Sequence, residues 1–223
     1  MNSILLMQQL EAQSNPSRKK VLLKAGASDK TYGVPLGYLR TLAKTIGINH
    51  ELAIELWKTQ NTDARLLSVM LFDPKKLSTD DIIVMIEEEP FEQIVDDLIF
   101  RALSKLDDYE AVMDKLKDAT KDHLKRAYWT FMVLVIEDSN KTSPNMIEGL
   151  IKEIESKLKN ESPKAQWMMN RALAEIGIKY EAYTNICLNI GEKLGIYKDL
   201  KVPAGCTSAY IPNWIHAILR KKK

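Results

Sequence analysis

The chain has 223 residues, 45% of them hydrophobic and 28% charged, a soluble globular composition with enough apolar material for one ordinary domain or one continuous array of repeats. Formal net charge is +2 and the sequence pI about 8.3, which excludes an overall basic protein. Any nucleic-acid surface has to come from gathering Lys and Arg onto one face.

In chain order, almost every segment carries the helical period and none alternates convincingly as a strand. Ser3 to Gln13 reads as a helix and not as a signal peptide, because Gln8, Gln9, Glu11 and Gln13 interrupt its apolar run. Further helices are predicted at Ser17 to Ala25, Gly37 to Ile46, His50 to Lys58, Thr62 to Phe72, Ser78 to Glu88 and Phe91 to Leu106. They continue at Tyr109 to Ala119, Lys121 to Glu137, Pro144 to Asn160, Pro163 to Ile178, Tyr180 to Leu194 and Ile211 to Arg220. Ser143-Pro144 and Ser162-Pro163 each place a hydroxyl at an N-cap and a proline at the first helical position. Gly26, Gly47 and Gly195 stand where helices should end, in the left-handed conformation that glycine accepts. No stretch reaches the roughly 18 apolar residues that a membrane span requires. Cys187 and Cys206 form neither a CxxC pair nor a disulfide framework, which fits a reducing cytoplasm.

Pairs of short helices recur at about 30 to 40 residues, from His50 to Leu77, Ser78 to Leu106, Asp107 to Asp138 and Ser143 to Ile178. That spacing predicts an all-α superhelical solenoid of HEAT-like antiparallel helix pairs, forming a single domain over residues 1–223. Ile4, Leu5 and Leu10 would cap one end. Residues 201–223, with Trp214, Ile215, Ile218 and Leu219 and the basic run Arg220 to Lys223, would cap the other. A rod-shaped partner would lie along the concave face of such a stack. An irregular helical bundle is the plainer alternative.

Two helices stand out. In the first, Ile94, Val95, Leu98, Ile99, Ala102, Leu103 and Leu106 form an apolar stripe, leaving Glu92, Asp96 and Phe100 on the opposite side. In the second, Leu124, Ala127, Tyr128, Phe131, Leu134 and Val135 form the stripe, and Arg126 and Trp129 share the other side. Trp167 is placed on the non-core side of its own helix, and Trp57 in the core. Cations collect near helix starts or on polar faces: Arg40 and Lys44, Lys121, Lys125 and Arg126, and Lys164 with Arg171. Helix N-termini there also offer N–H groups to phosphates, a set suited to salt-sensitive, weakly sequence-selective binding. Other chemistries find little support. His50, His123 and His216 have no metal-ligand spacing, and no Gly-rich phosphate loop or GxSxG elbow occurs. Neither a metal nor a cofactor is expected, and Cys206 reads as an ordinary loop thiol.

The pattern Tyr32-Gly33-Val34-Pro35 leading to Leu39-Arg40, then Ile94-Val95-Asp96, then Leu124-Lys125-Arg126-Ala127, resembles the AlkD-like DNA alkylation repair family. Asn170-Arg171-Ala172, Ile176-Gly177, Gly205-Cys206-Thr207-Ser208 and Trp214-Ile215 resemble one branch of it. The resemblance implies HEAT-like repeats gripping duplex DNA. It also implies, in catalytic members, release of cationic N3- or N7-alkylpurines. There an aspartate stabilises the positive sugar as the base departs, an arginine fixes the DNA backbone, and tryptophans pack on the deoxyribose. Asp96 matches that aspartate and Arg126 that arginine. Three positions depart from the pattern: Glu92 stands where a tryptophan precedes the aspartate, Arg171 where a later aromatic falls, and Pro35 where a glutamine falls.

Cleavage of a cationic N-glycosidic bond mainly requires a negative charge near the oxocarbenium and a grip on the sugar. Asp96 could supply the charge, with Glu92 one turn away weakening or sharing the role. Phe100, Trp129 and Trp167 are the replacement aromatics. The leading expectation is a monomeric, cytoplasmic glycosylase acting on alkylated duplex DNA, with no membrane partner. The alternatives are a catalytically inactive binder of damaged or branched DNA, and a HEAT-type protein-interaction scaffold.

Overall fold

The computed structural model describes residues 2–102 and 109–221, and among them every regular element is helical. The chain divides into two compact units, Met1–Lys115 and Leu116–Lys223. The first holds α1 (Ser3–Ala12), α2 (Pro16–Lys24), α3 (Leu36–Ile46), α4 (His50–Lys58), α5 (Thr62–Leu71), α6 (Thr79–Glu88) and α7 (Glu92–Arg101). The division falls within α8 (Tyr109–Lys117), and the second unit holds α9 (Asp122–Glu137), α10 (Pro144–Lys157), α11 (Pro163–Lys179), α12 (Glu181–Leu194) and α13 (Ile211–Lys221). All thirteen helices expected from periodicity are present. The expected stretch from Leu103 to Leu106, and Lys222 and Lys223 of the tail, lie outside the described residues.

Helix starts follow from short polar side chains. Asn2, Asn15, Asn49 and Asn61 each accept an amide of the following first turn, satisfying a donor that the helix itself leaves open. Ser78 and Asp81 form a reciprocal capping box on α6. Ser143 caps α10 through the Met146 amide at 3.3 Å, as its sequence context predicts. Ser162 does not cap α11: its buried hydroxyl has no hydrogen-bond partner, and the Glu161 carboxylate accepts the Ser162 amide instead.

In the first unit α5 is the centre, buried over nearly its whole circumference and packed on α3, α4 and α7. At its first turn the fully buried Asp63 carboxylate gathers the preceding loop. Oδ2 accepts from the Thr31 hydroxyl at 2.8 Å and the Tyr32 amide at 2.6 Å, and Oδ1 from the Val34 amide at 2.8 Å. The loop passes so close to α2 that a Cβ on Gly33 would lie 2.4 Å from the Lys19 nitrogen, at a φ of +75°. That site therefore admits only glycine. Beneath, Arg65 of α5 donates from Nη1 to Glu89 at 2.8 Å and from Nε to the Trp57 carbonyl at 3.1 Å, its guanidinium 4.6 Å from the Trp57 ring centre. Trp57 is a core side chain, as expected.

In the second unit α11 is the centre, packed on α9, α12 and α13. A Cβ at Gly177 would fall 2.6 Å from Ile215 Cδ1, so the absent side chain is what lets α13 approach. Gly195 ends α12 in the left-handed conformation at φ +63°, and Gly26 and Gly47 also have positive φ. At the chain's start the capping expectation is corrected. Leu6 and Leu10 are buried, but Ile4 and Leu5 are 68% and 56% exposed, because Leu6 and Leu10 supply the single inward stripe that α1 has.

Candidate nucleic-acid interface

On α7, Glu92, Asp96 and Phe100 are half-buried and spaced one turn apart along a single stripe, as the sequence places them. The stripe's inner neighbours Ile94, Val95, Leu98 and Ile99 are fully packed, which holds it in place. Asp97, next to Asp96, was not anticipated. Its Oδ1 lies 3.6 Å from Arg101 Nε, and burial pushes its carboxyl above the ordinary value of 3.8. The Arg101 and Arg40 charges act against that shift, and Asp96 adds to it.

Arg40 and Lys44 are exposed and one turn apart on α3. With Arg101, Ile48 and Met70 they line a cleft of about 360 Å³. A second cleft of about 280 Å³ shares Ile48, Met70 and Arg101 and adds Phe100 and Phe72. The structure thus brings Arg40, Lys44 and Phe100 around adjoining hollows with a third cation, Arg101, that sequence reasoning missed. Its signal was the i,i+4 spacing from Asp97. Cations and apolar side chains lining the same hollows suit a polymer that pairs phosphates with flat bases.

The second unit departs further from expectation. Trp129, placed on the polar side of its helix, is 4% exposed and stands edge-on to Tyr128, with ring centres 5.3 Å apart. Arg126, placed on the same polar side, is 5% exposed and donates from Nη1 to the Lys164 carbonyl at 3.3 Å. The reason is packing: α9 lies against the central α11 and is buried almost all round, so it has no wide polar face. Lys125 is ion-paired to Glu161 at 3.1 Å, in a cleft of about 230 Å³ where Lys157 and Glu153 add another pair. That hollow carries both signs of charge. Lys121 is exposed before α9, and Lys164 is half-buried on α11.

Arg171 lies 3.7 Å from Glu137 and 3.6 Å from Glu175. Trp167, one turn earlier on α11, is 39% exposed and meets Tyr197 with ring centres 5.2 Å apart. Tyr197 is a second residue that sequence reasoning missed, since nothing in the loop pattern sets it apart. Cys187 is buried, its thiol pushed up to about 12, and Cys206 is exposed. Among the described residues no helix is long and apolar enough to cross a membrane, and no group of three His, Cys, Asp or Glu side chains could hold a metal ion.

A family model described as the DNA alkylation repair enzyme matches residues 6–186. The chain belongs to that DNA alkylation repair family. The uncharacterized protein Lin0241 of Listeria innocua is 25% identical over 216 residues, covering 94% of this chain and 92% of that protein. The uncharacterized protein Lmo0209 of Listeria monocytogenes is 23% identical over the same shares. A solved structure, described as a new family of proteins related to the HEAT-like repeat DNA glycosylases with affinity for branched DNA structures, superposes with a TM-score of 0.84. It is 25% identical, covering 100% of this chain and 95% of that one. The fold is therefore the all-α, HEAT-like one that the helix spacing predicts.

Proposed function

We propose that this member of the DNA alkylation repair family grips branched or locally distorted duplex DNA through its phosphate backbone, with base release not its principal activity. The observation that carries the reading is the cleft on α3 and α7, which exposed Arg40 and Lys44 line together with Arg101, Ile48 and Met70. Exposed cations bind phosphate without reading sequence, and apolar side chains lining the same cleft favour DNA whose bases are partly unstacked. The described affinity of the structural relative for branched DNA supports the same choice. Against excision stands the fate of the aromatics: Trp129 is inside the core, and Glu92 occupies the position one turn before Asp96. A sugar cation could still be met by Asp96, half-buried one turn before Phe100, and that observation favours excision of cationic alkylpurines as a second reading.

Two measurements separate the readings. Anisotropy titrations should give tighter binding to a four-way junction than to a linear duplex of the same sequence, with affinity falling steeply as salt rises. Equal affinity for the two, or a flat salt response, would remove the proposal. Base release from N-methylated duplex, compared between wild type and Asp96→Asn, should be negligible for both. Release by wild type that Asp96→Asn abolishes would establish the second reading in its place.

A further inference from the structure

We infer that Trp167 and Tyr197 form a stacking platform for a single unpaired base at a DNA branch, an inference that rests on the DNA-binding reading above. Trp167 keeps 39% of its surface in solvent, and the Tyr197 ring meets it at 63° with centres 5.2 Å apart. A tryptophan so exposed is unusual beside the buried Trp57 and Trp129 of the same chain. The two rings make a corner with one wall belonging to α11 and the other to the loop that follows α12.

The backbone supports a use for this corner. Tyr197 has φ +60°, a left-handed conformation that bulky side chains rarely adopt. It is held there by a tight turn in which the Lys198 amide donates to the Gly195 carbonyl at 3.2 Å, and the Leu200 amide to the Tyr197 carbonyl at 3.2 Å. Glycine would satisfy the same backbone without strain, so the side chain is what the position retains.

Cations lie on both elements that carry the rings. Lys164 and Arg171 lie three residues before and four after Trp167, on the same face of α11. Arg126 acts electrostatically on the Tyr197 phenol, and Lys198 is exposed beside it. A base laid on the exposed indole would bring its flanking phosphates toward half-buried Lys164 and exposed Lys198, whereas Arg126 is buried and Arg171 already lies between Glu137 and Glu175. Aromatic stacking accepts any base, so such a platform recognises the unpaired state and not the sequence. Fully paired duplex offers no free π-face and would bypass it.

The test uses the full chain and junction or flap DNA carrying one 2-aminopurine at an unpaired position, beside a fully paired duplex of the same sequence. Saturating wild-type protein should quench 2-aminopurine at the unpaired position and leave the paired one unchanged. Trp167→Ala and Tyr197→Gly, the latter relieving the backbone, should abolish the quench. They should also weaken binding of the unpaired-base DNA by about tenfold or more, beyond any loss on paired duplex. Tyr197→Phe keeps the ring and should keep the quench. If wild type binds branched DNA but leaves the probe bright, or if both ring-deleting variants bind and quench like wild type, the platform is overturned and the DNA-binding reading stands. If wild type binds none of these DNAs, that reading fails and the platform with it.

Discussion

Arg65 Nη1 and Glu89 Oε2 meet at 2.8 Å with less than a tenth of either side chain exposed. Glu89 also accepts the Phe91 amide at 2.8 Å through its other oxygen, so the pair sets the entry to α7 as well as closing α5 against α4. Removing one partner strands a buried charge, and such losses run to roughly 3–5 kcal/mol. Glu89→Ala should therefore lower the urea midpoint severely. Arg65→Met with Glu89→Leu should recover much of the loss, because no charge is then left unpaired. A double variant no more stable than Glu89→Ala would place the pair's value in the backbone contacts instead.

The Asp63 carboxylate connects stability to the candidate interface. It accepts from one hydroxyl and the amides of Tyr32, Gly33 and Val34, and the chain then passes through Pro35 directly into α3 and its Arg40 and Lys44. Asp63→Asn turns one acceptor into a donor aimed at amides, at about 1–3 kcal/mol for each buried donor left unmet. Hydrogen exchange at residues 32–34 should accelerate in this variant, and DNA affinity should fall although no DNA-facing side chain has changed. Unaltered protection of those amides would refute the role.

Asp97 predicts a pH dependence of the opposite kind from a stabilising carboxylate. Burial raises its folded-state value above the ordinary 3.8, so the protonated form fits the fold better than the ion. The stability it contributes is present below its unfolded value and is lost as pH rises through the raised folded value. At neutral pH the ion is thus a net cost, partly offset by Arg101 at 3.6 Å. Asp97→Asn should be at least as stable as wild type at pH 7 in urea titrations, and its advantage should shrink as pH falls toward 4. A variant clearly less stable at pH 7 would mean that the Arg101 contact outweighs burial.

The helical period made the fold legible because most of the helices bury one stripe, and Leu10, Ile94 and Leu98 lie inside where that period puts them. The same logic misplaced Arg126 and Trp129. Binary patterning assumes a wet side, and α9 has little of one: Arg126 and Thr130 are buried, and Arg126 meets the Lys164 carbonyl of α11. Polar residues that anchor over long range were equally illegible. Asp63 ties down a loop about thirty residues upstream, and no local spacing announces such a pair. Tyr197 was invisible for a related reason, since positive φ is a property of the folded loop. Arg40 and Lys44, by contrast, sit on a helix with a true solvent face, and the structure leaves them exposed as the sequence suggests.

Those two cations give the most direct probe of where DNA runs. Each Lys or Arg that neutralises a phosphate releases condensed counterion, so the slope of log K against log salt falls by about 0.9 for each contact removed on duplex DNA. Arg40→Gln and Lys44→Gln should each flatten the slope by about that amount, and together by about twice it, weakening binding to all sequences alike. Lys76 serves as the control. It is exposed on the same unit but paired to Glu51 at 2.7 Å, so its charge is already compensated and Lys76→Gln should leave the slope unchanged. Equal slopes for wild type and the Arg40/Lys44 double variant would take the phosphate backbone away from α3. An Arg40/Lys44 effect confined to one sequence would instead mean that these side chains reach base edges, where contacts discriminate between bases and do not merely hold the strand.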